Sequence, residues 1–94
     1  MEYKNILIIK MSSVGDIIHA LPFAAALRER YPEAKISWLV HPQFAGFIPE
    51  APTIDQVLYF DKEAFKKMSW GEKFSFIKAF RQELQARHFD LVVD

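Results

Sequence analysis

Residues 6–9, Ile6-Leu7-Ile8-Ile9, form an apolar run with no polar alternation. A strand with one wet face alternates; a strand covered on both faces does not, and such strands are usually central in parallel sheets. A helical pattern follows at once. Between residues 15 and 30, Ile17, Leu21, Ala24 and Leu27 recur at helical spacing, Arg28, Glu29 and Arg30 close the helix with charge, and Pro32 stops it. The alternation then repeats. KISWLV at 35–40 reads as a second strand, residues 43–48 as a short apolar turn or helix, and QVLYF at 56–60 as a third strand after Pro42, Pro49 and Pro52. Ser69-Trp70-Gly71-Glu72 has the S-x-x-E form of a capping box. It predicts a helix to about Arg87 with Phe74, Ile77, Phe80 and Leu84 on one face, and FDLVVD at 89–94 begins a fourth strand.

The order β-α-β-(α)-β-α-β implies an α/β fold: a Rossmann-like parallel sheet with right-handed crossovers and helices on both sides. Ligands of open α/β sheets bind at the carboxyl ends of the strands. The sequence stops at such an end, Asp94, on a strand expected to be internal, so a truncated domain is expected.

Composition narrows the class. With 51% hydrophobic and 15% aromatic residues, the chain is too apolar for a disordered segment. It has no cysteine, which excludes disulfides and thiolate metal sites and fits a reducing cytosol. No stretch approaches the roughly 20 apolar residues of a membrane span, and no signal peptide is legible. The expectation is a soluble chain, or one attached to a membrane surface. Net charge is zero, but residues 61–87 carry seven basic against four acidic groups, while residues 1–60 carry five against six. An asymmetry this mild does not call for nucleic acid.

The turn after the first strand holds the candidate chemistry: residues 10–22, KMSSVGDIIHALP. Neither G-x-G-x-x-G nor the phosphate loop G-x-x-x-x-G-K-[ST] is present, and His41-Pro42 stands where a dinucleotide fold wants an acid. NAD is not expected. Taken locally, Ser12, Ser13 and Asp16 suit a helix start, where hydroxyls cap amides and an acid is favoured by the helix dipole. His19 follows Asp16 by three residues and can share its face. That pair reads as a structural hydrogen bond, an acid/base couple or half a metal site. Pro22 removes an amide that would bond the Ile18 carbonyl and is expected to bend the helix.

The pattern K-x-S-S-x-G-D-x-x-H-x-L-P, carried by Lys10, Ser12, Ser13, Gly15, Asp16, His19, Leu21 and Pro22, resembles the N-terminus of glycosyltransferase family 9. These are the ADP-heptose:lipopolysaccharide heptosyltransferases, and the likeness is greatest to the heptosyltransferase I branch. The resemblance implies the N-terminal half of a GT-B glycosyltransferase. Residues 1–94 would form its acceptor-side domain, incomplete here, with the C-terminal donor-binding domain absent. It implies inverting transfer of heptose from ADP-heptose to the Kdo-lipid A inner core, with Asp16 as catalytic base. The helix terminus favours the charged carboxylate and so works against proton uptake; stabilising positive charge on the sugar is the other role open to Asp16. Ser12, Ser13 and the amides near Gly15 would orient substrate oxygens, His19 would share the binding wall, and Lys10 would neutralise an acceptor carboxylate or simply end the strand. No D-x-D motif is present. A mechanism without metal or other cofactor is expected.

Residues 61–74 mix Lys62, Lys66, Lys67 and Lys73 with Phe65, Met68, Trp70 and Phe74. By the resemblance, Lys62, Lys66 and Lys67 face the anionic acceptor. The composition also suits peripheral contact with an anionic inner membrane from the cytoplasmic side, or a solvated loop ahead of a core-facing helix. Two other functions compete with transfer: a stand-alone phosphate or small-molecule binding module, and an interaction domain pairing through its last strand.

Overall fold

A computed structural model describes residues 2–94. Strand β1 (Asn5–Ile9) is buried as its composition requires, with Ile6, Leu7 and Ile8 all at 2% exposure or less. Helix α1 (Val14–Arg30) follows, then β2 (Lys35–Val40), a 3-10 turn (Pro42–Phe47), β3 (Gln56–Tyr59), a short helix α2 (Lys62–Lys66), helix α3 (Trp70–Ala86) and β4 (Leu91–Val93). The four strands are all parallel, in the order β3-β2-β1-β4. Ile8 pairs with Trp38 on one side and Val93 on the other.

Side chains of a strand alternate between faces, so β1 feeds two cores. Ile6 and Ile8 join Ile36, Trp38 and Val40 beneath Ile17, Ala20, Ala24 and Leu27 of α1. Leu7 joins Leu39 and Leu58 on the opposite face, covered by Phe80, Leu84 and Phe89. The expected helix layers on both sides are present. Helix α1 continues through Pro22, which does not end it.

Helix α3 does not turn the whole expected arc inward. Its capping box forms: the Ser69 hydroxyl accepts from the Glu72 amide at 3.2 Å, and the Ser69 amide donates to the Glu72 carboxylate at 3.2 Å. Phe80 and Leu84 face the sheet as expected, but Phe74 and Ile77 do not; both are exposed. Phe76 takes the inner position instead. Its ring stacks on Phe80 at 5.9 Å and meets Phe60 edge-on at 5.6 Å, while Phe65 closes the cluster from α2. An aromatic cluster anchored on the end of β3 therefore decides which arc of α3 turns inward. Helix α2, capped by Asp61 through the Ala64 amide at 3.1 Å, occupies residues expected to be loop. Among the described residues β4 is an edge strand, bonded to β1 alone. Among the described residues no helix is long and apolar enough to cross a membrane.

Three polar contacts lock the frame. Arg28 donates to the Ala34 carbonyl at 2.7 Å and pairs with Asp55, which also accepts from the Ile36 amide at 2.8 Å. Asp90 accepts from the amides of Lys4 and Asn5, each at 3.0 Å, tying the start of β1 to the approach to β4. Trp38, fully buried, donates its indole N–H to the Lys10 carbonyl at 3.0 Å.

Two of these contacts generate measurable outcomes. The amides of Lys4 and then Asn5 hold the Asp90 carboxyl below its ordinary value of 3.8. A depressed carboxylate contributes stability that is present above the unfolded value and lost as pH falls through the folded one. Asp90→Asn should therefore flatten the acid limb of a stability–pH profile below about pH 4, read from urea midpoints. Trp38→Phe leaves the Lys10 carbonyl without its donor and opens a void. It should lower unfolding free energy by about 2–4 kcal/mol with an unchanged urea m-value.

Candidate active site

The turn after β1 is held from beneath before any functional side chain is considered. The Lys10 carbonyl takes the Trp38 indole, and the Met11 carbonyl accepts from the His41 amide at 3.0 Å. Both anchors come from β2 or its end, so the buried neighbour strand fixes the path of residues 10–13. The Ser12–Ser13 peptide is cis. Ser13 is the N-cap of α1, and the Ile17 amide donates to its carbonyl at 3.0 Å. Asp16 is the third residue of the helix; its Oδ2 accepts from the Ser13 amide at 3.4 Å. That bond is long and weak by hydrogen-bond standards. Among the described residues, no donor bonds the other oxygen, Oδ1.

A cavity of about 340 Å³ opens at the carboxyl ends of β1 and β4. Lys10, Asp16 and His19 line it, together with Phe23 and Asp94, over an apolar floor of Ile8, Ala20 and Val93. Both Asp16 and His19 are exposed and Lys10 is half-buried. A carboxylate, an imidazole and an ammonium thus share one concave surface where α/β sheets bind ligands. Such a set can accept a proton, donate a hydrogen bond and balance an anion. Among the described residues, no three His, Asp or Glu side chains are grouped so as to hold a metal ion.

The other sequence-predicted residues lie outside this wall. Ser12, Ser13 and Gly15 form the adjacent turn and helix start. A Cβ at Gly15 would meet no atom within 4 Å, so the space over the turn is open. Lys62 and Lys66 are on α2, and Lys67 caps it, along the same edge of the sheet but beyond β3. With two inter-strand steps between β1 and β3, α2 starts roughly 10 Å away. Lys66 lies 3.9 Å from Glu63, an exposed pair.

The cavity has two further polar or aromatic members, Phe23 and Asp94. Phe23 follows Asp16 by seven residues and His19 by four, a helical spacing that was available as a signal. Asp94 reaches the cavity because β4 pairs with β1. His41, its side chain 12% exposed, accepts from the Gln43 amide through Nδ1 at 3.1 Å, which leaves the proton on Nε2, 3.5 Å from Asp61. That contact joins the ends of β2 and β3 and steadies the start of α2.

No family model matches the sequence. Curated relatives do. Lipopolysaccharide heptosyltransferase 1 of Escherichia coli O18:K1:H7 is 31% identical over 91 residues, covering 96% of this chain and 28% of the relative. Lipopolysaccharide heptosyltransferase 1 of Pseudomonas aeruginosa is 30% identical over 95 residues, covering 96% of this chain and 26% of the relative. Lipopolysaccharide core heptosyltransferase OpsX of Haemophilus influenzae is 29% identical over 91 residues, covering 97% and 24%. The chain spans about a quarter of the length of the curated relatives it matches. In fold it resembles the crystal structure of the glycosyl transferase family 9 from Veillonella parvula, with a TM-score of 0.73, 24% identity, and coverage of 97% of this chain and 25% of that one. Along nearly its whole length this chain is similar in sequence to the N-terminal part of lipopolysaccharide heptosyltransferases, and its fold is that of part of a solved glycosyl transferase of family 9.

Proposed function

We propose that residues 1–94 form the acceptor-side wall of an inverting heptosyltransferase that moves heptose from ADP-heptose to the Kdo-lipid A inner core. The observation that carries this reading is the convergence of Lys10, Asp16 and His19 on one cavity at the carboxyl edge of the sheet. The likeness to heptosyltransferases along 96% of the chain supports the sugar class. In this reading a second, donor-binding domain holds the nucleotide, and the reaction takes place in the cytoplasm at the inner face of the inner membrane.

The residues suggest a single displacement. An acceptor hydroxyl oxygen attacks the anomeric carbon from the face opposite the phosphate. The new C–O bond forms as the bond to ADP breaks, and ADP leaves with the electron pair. The hydroxyl proton passes to Asp16, whose Oδ1 accepts no hydrogen bond among the described residues. His19, one helical turn on, faces the same cavity and can hydrogen-bond the acceptor. Lys10 supplies positive charge for an acceptor carboxylate. Ser12 and Ser13, with the amides near Gly15, orient oxygens over the open turn, and Lys62, Lys66 and Lys67 meet acidic groups farther along the acceptor.

A general base contributes about 10²–10⁴-fold to a rate. In a protein carrying both domains, Asp16→Asn should lower turnover by about that factor while KM for the nucleotide sugar stays near wild type. Wild-type-like turnover removes Asp16 from the base role. A panel of nucleotide sugars in the same assay identifies the donor. The 94-residue chain by itself is expected to transfer nothing, and measurable transfer by it overturns the two-domain reading.

A further inference from the structure

Helix α3 carries two apolar faces where a surface helix needs one. Phe76, Phe80 and Leu84 cover the sheet and its aromatic cluster. Trp70, Phe74 and Ile77 project elsewhere, with exposures of 85, 74 and 47%. Their i, i+4, i+7 spacing makes one outward stripe. With Phe65 and Lys73 they line a depression of about 560 Å³.

The rim of this stripe is cationic. The Lys73 ammonium sits 4.9 Å from the Trp70 ring centroid and 5.7 Å from that of Phe65. Lys78 and Arg81 border a neighbouring hollow shared with Phe74 and Ile77. The acids of α3 are engaged away from it: Glu72 in the capping box and Glu83 with Arg87 at 3.1 Å. An apolar stripe flanked by unopposed lysine and arginine is complementary to a surface that is apolar within and anionic outside.

We propose that this outer face of α3 seats on an anionic lipid bilayer. Trp70, Phe74 and Ile77 enter the boundary between headgroups and acyl chains, and Lys73, Lys78 and Arg81 contact lipid phosphates, the arrangement of a helix lying in the interface. Topology gives the contact a use. In parallel connections α3 starts at the carboxyl edge of the sheet, so Trp70 lies at the edge that carries the Asp16 cavity, though on the other face of the sheet. A chain seated through Trp70 would therefore hold its cavity near the membrane surface. That use rests on the proposed lipid-linked acceptor; the docking itself does not.

The two tryptophans make the test direct, because Trp38 is fully buried and Trp70 is not. A shift of emission to shorter wavelength on adding lipid reports Trp70. The protein is mixed with vesicles of phosphatidylglycerol and phosphatidylcholine, or of phosphatidylcholine alone, with no glycolipid in either. Co-sedimentation and the emission shift are expected with the anionic vesicles and not with the neutral ones. Lys73→Gln/Lys78→Gln/Arg81→Gln, and separately Phe74→Ser/Ile77→Ser, should weaken partitioning by about tenfold or more. Phe74, Ile77, Lys78 and Arg81 are exposed and Lys73 is half-buried at the rim, and circular dichroism checks that the variants fold. No binding to anionic vesicles, equal binding to neutral ones, or wild-type partitioning of both variants overturns the proposal. So does a lipid-free dimer in sedimentation velocity that Phe74→Ser/Ile77→Ser dissociates, since a second copy then covers the stripe, and so does lipid-free Trp70 emission already at short wavelength in a protein carrying both domains, since the rest of that protein then covers it. Sugar transfer to a detergent-dispersed acceptor should survive both variants, so a failed transfer assay and a failed vesicle assay strike different claims.

Discussion

The structure depends on one strand being taken out of water on both sides. Ile6, Leu7 and Ile8 are each essentially buried, and each such side chain contributes about 1.5–3 kcal/mol when fully covered. Because neighbouring residues of β1 face opposite ways, that burial requires an apolar layer on each side of the sheet. Helix α1 supplies one and α3 the other, which the chain achieves by starting β1 in the middle and placing β2 and β4 on its two edges. The same constraint fixes the site. A strand that can go nowhere else delivers residues 10–16 to the carboxyl edge, and Trp38 in the next strand holds the Lys10 carbonyl there.

The order of elements was legible because each depends on neighbours in sequence. An unalternated run gives a doubly covered strand, and Ser69 with Glu72 gives a helix start whose amides they satisfy reciprocally. Which face of α3 turns inward was not legible. Phe74, Phe76, Ile77, Phe80 and Leu84 spread over more than one face, and periodicity alone cannot rank two apolar arcs. Phe60, at the end of β3, settles it by receiving Phe76 and Phe80. Helix α2 was missed for a related reason. Its five residues are too few for a periodic signal, and its stability comes from the Asp61 cap and from Phe65 packing on Phe60 and Phe76.

In the candidate site the same boundary separates local from distant information. Asp16 and His19 share a face by spacing alone, and the turn directly before them brings Lys10 to the same cavity. Phe23 obeys the same spacing, but an apolar residue at helical period reads as core, and only its half-open position shows otherwise. Asp94 enters through the register of β4 against β1, and His41 meets Asp61 because β2 and β3 are neighbours. These pairings join residues far apart in sequence, which no local pattern encodes.

The position of Asp16 holds a tension that the geometry eases. A carboxylate at the third residue of a helix is favoured by the helix dipole, and a carboxylate so favoured is a poorer proton acceptor. Yet among the described residues its one hydrogen bond, from the Ser13 amide, is long, and a single oxygen accepts it. The cavity floor of Ile8, Ala20 and Val93, with the Phe23 ring beside it, is apolar, and Lys10 and His19 are the donors that share the cavity. Once substrate covers the open side, water is displaced while that apolar wall remains. In the proposed reaction an acceptor hydroxyl would enter through that open side, beside the oxygen that the helix start does not bond. The helix start orients Asp16 through one oxygen, and the proposed acceptor would meet the other together with Lys10 and His19.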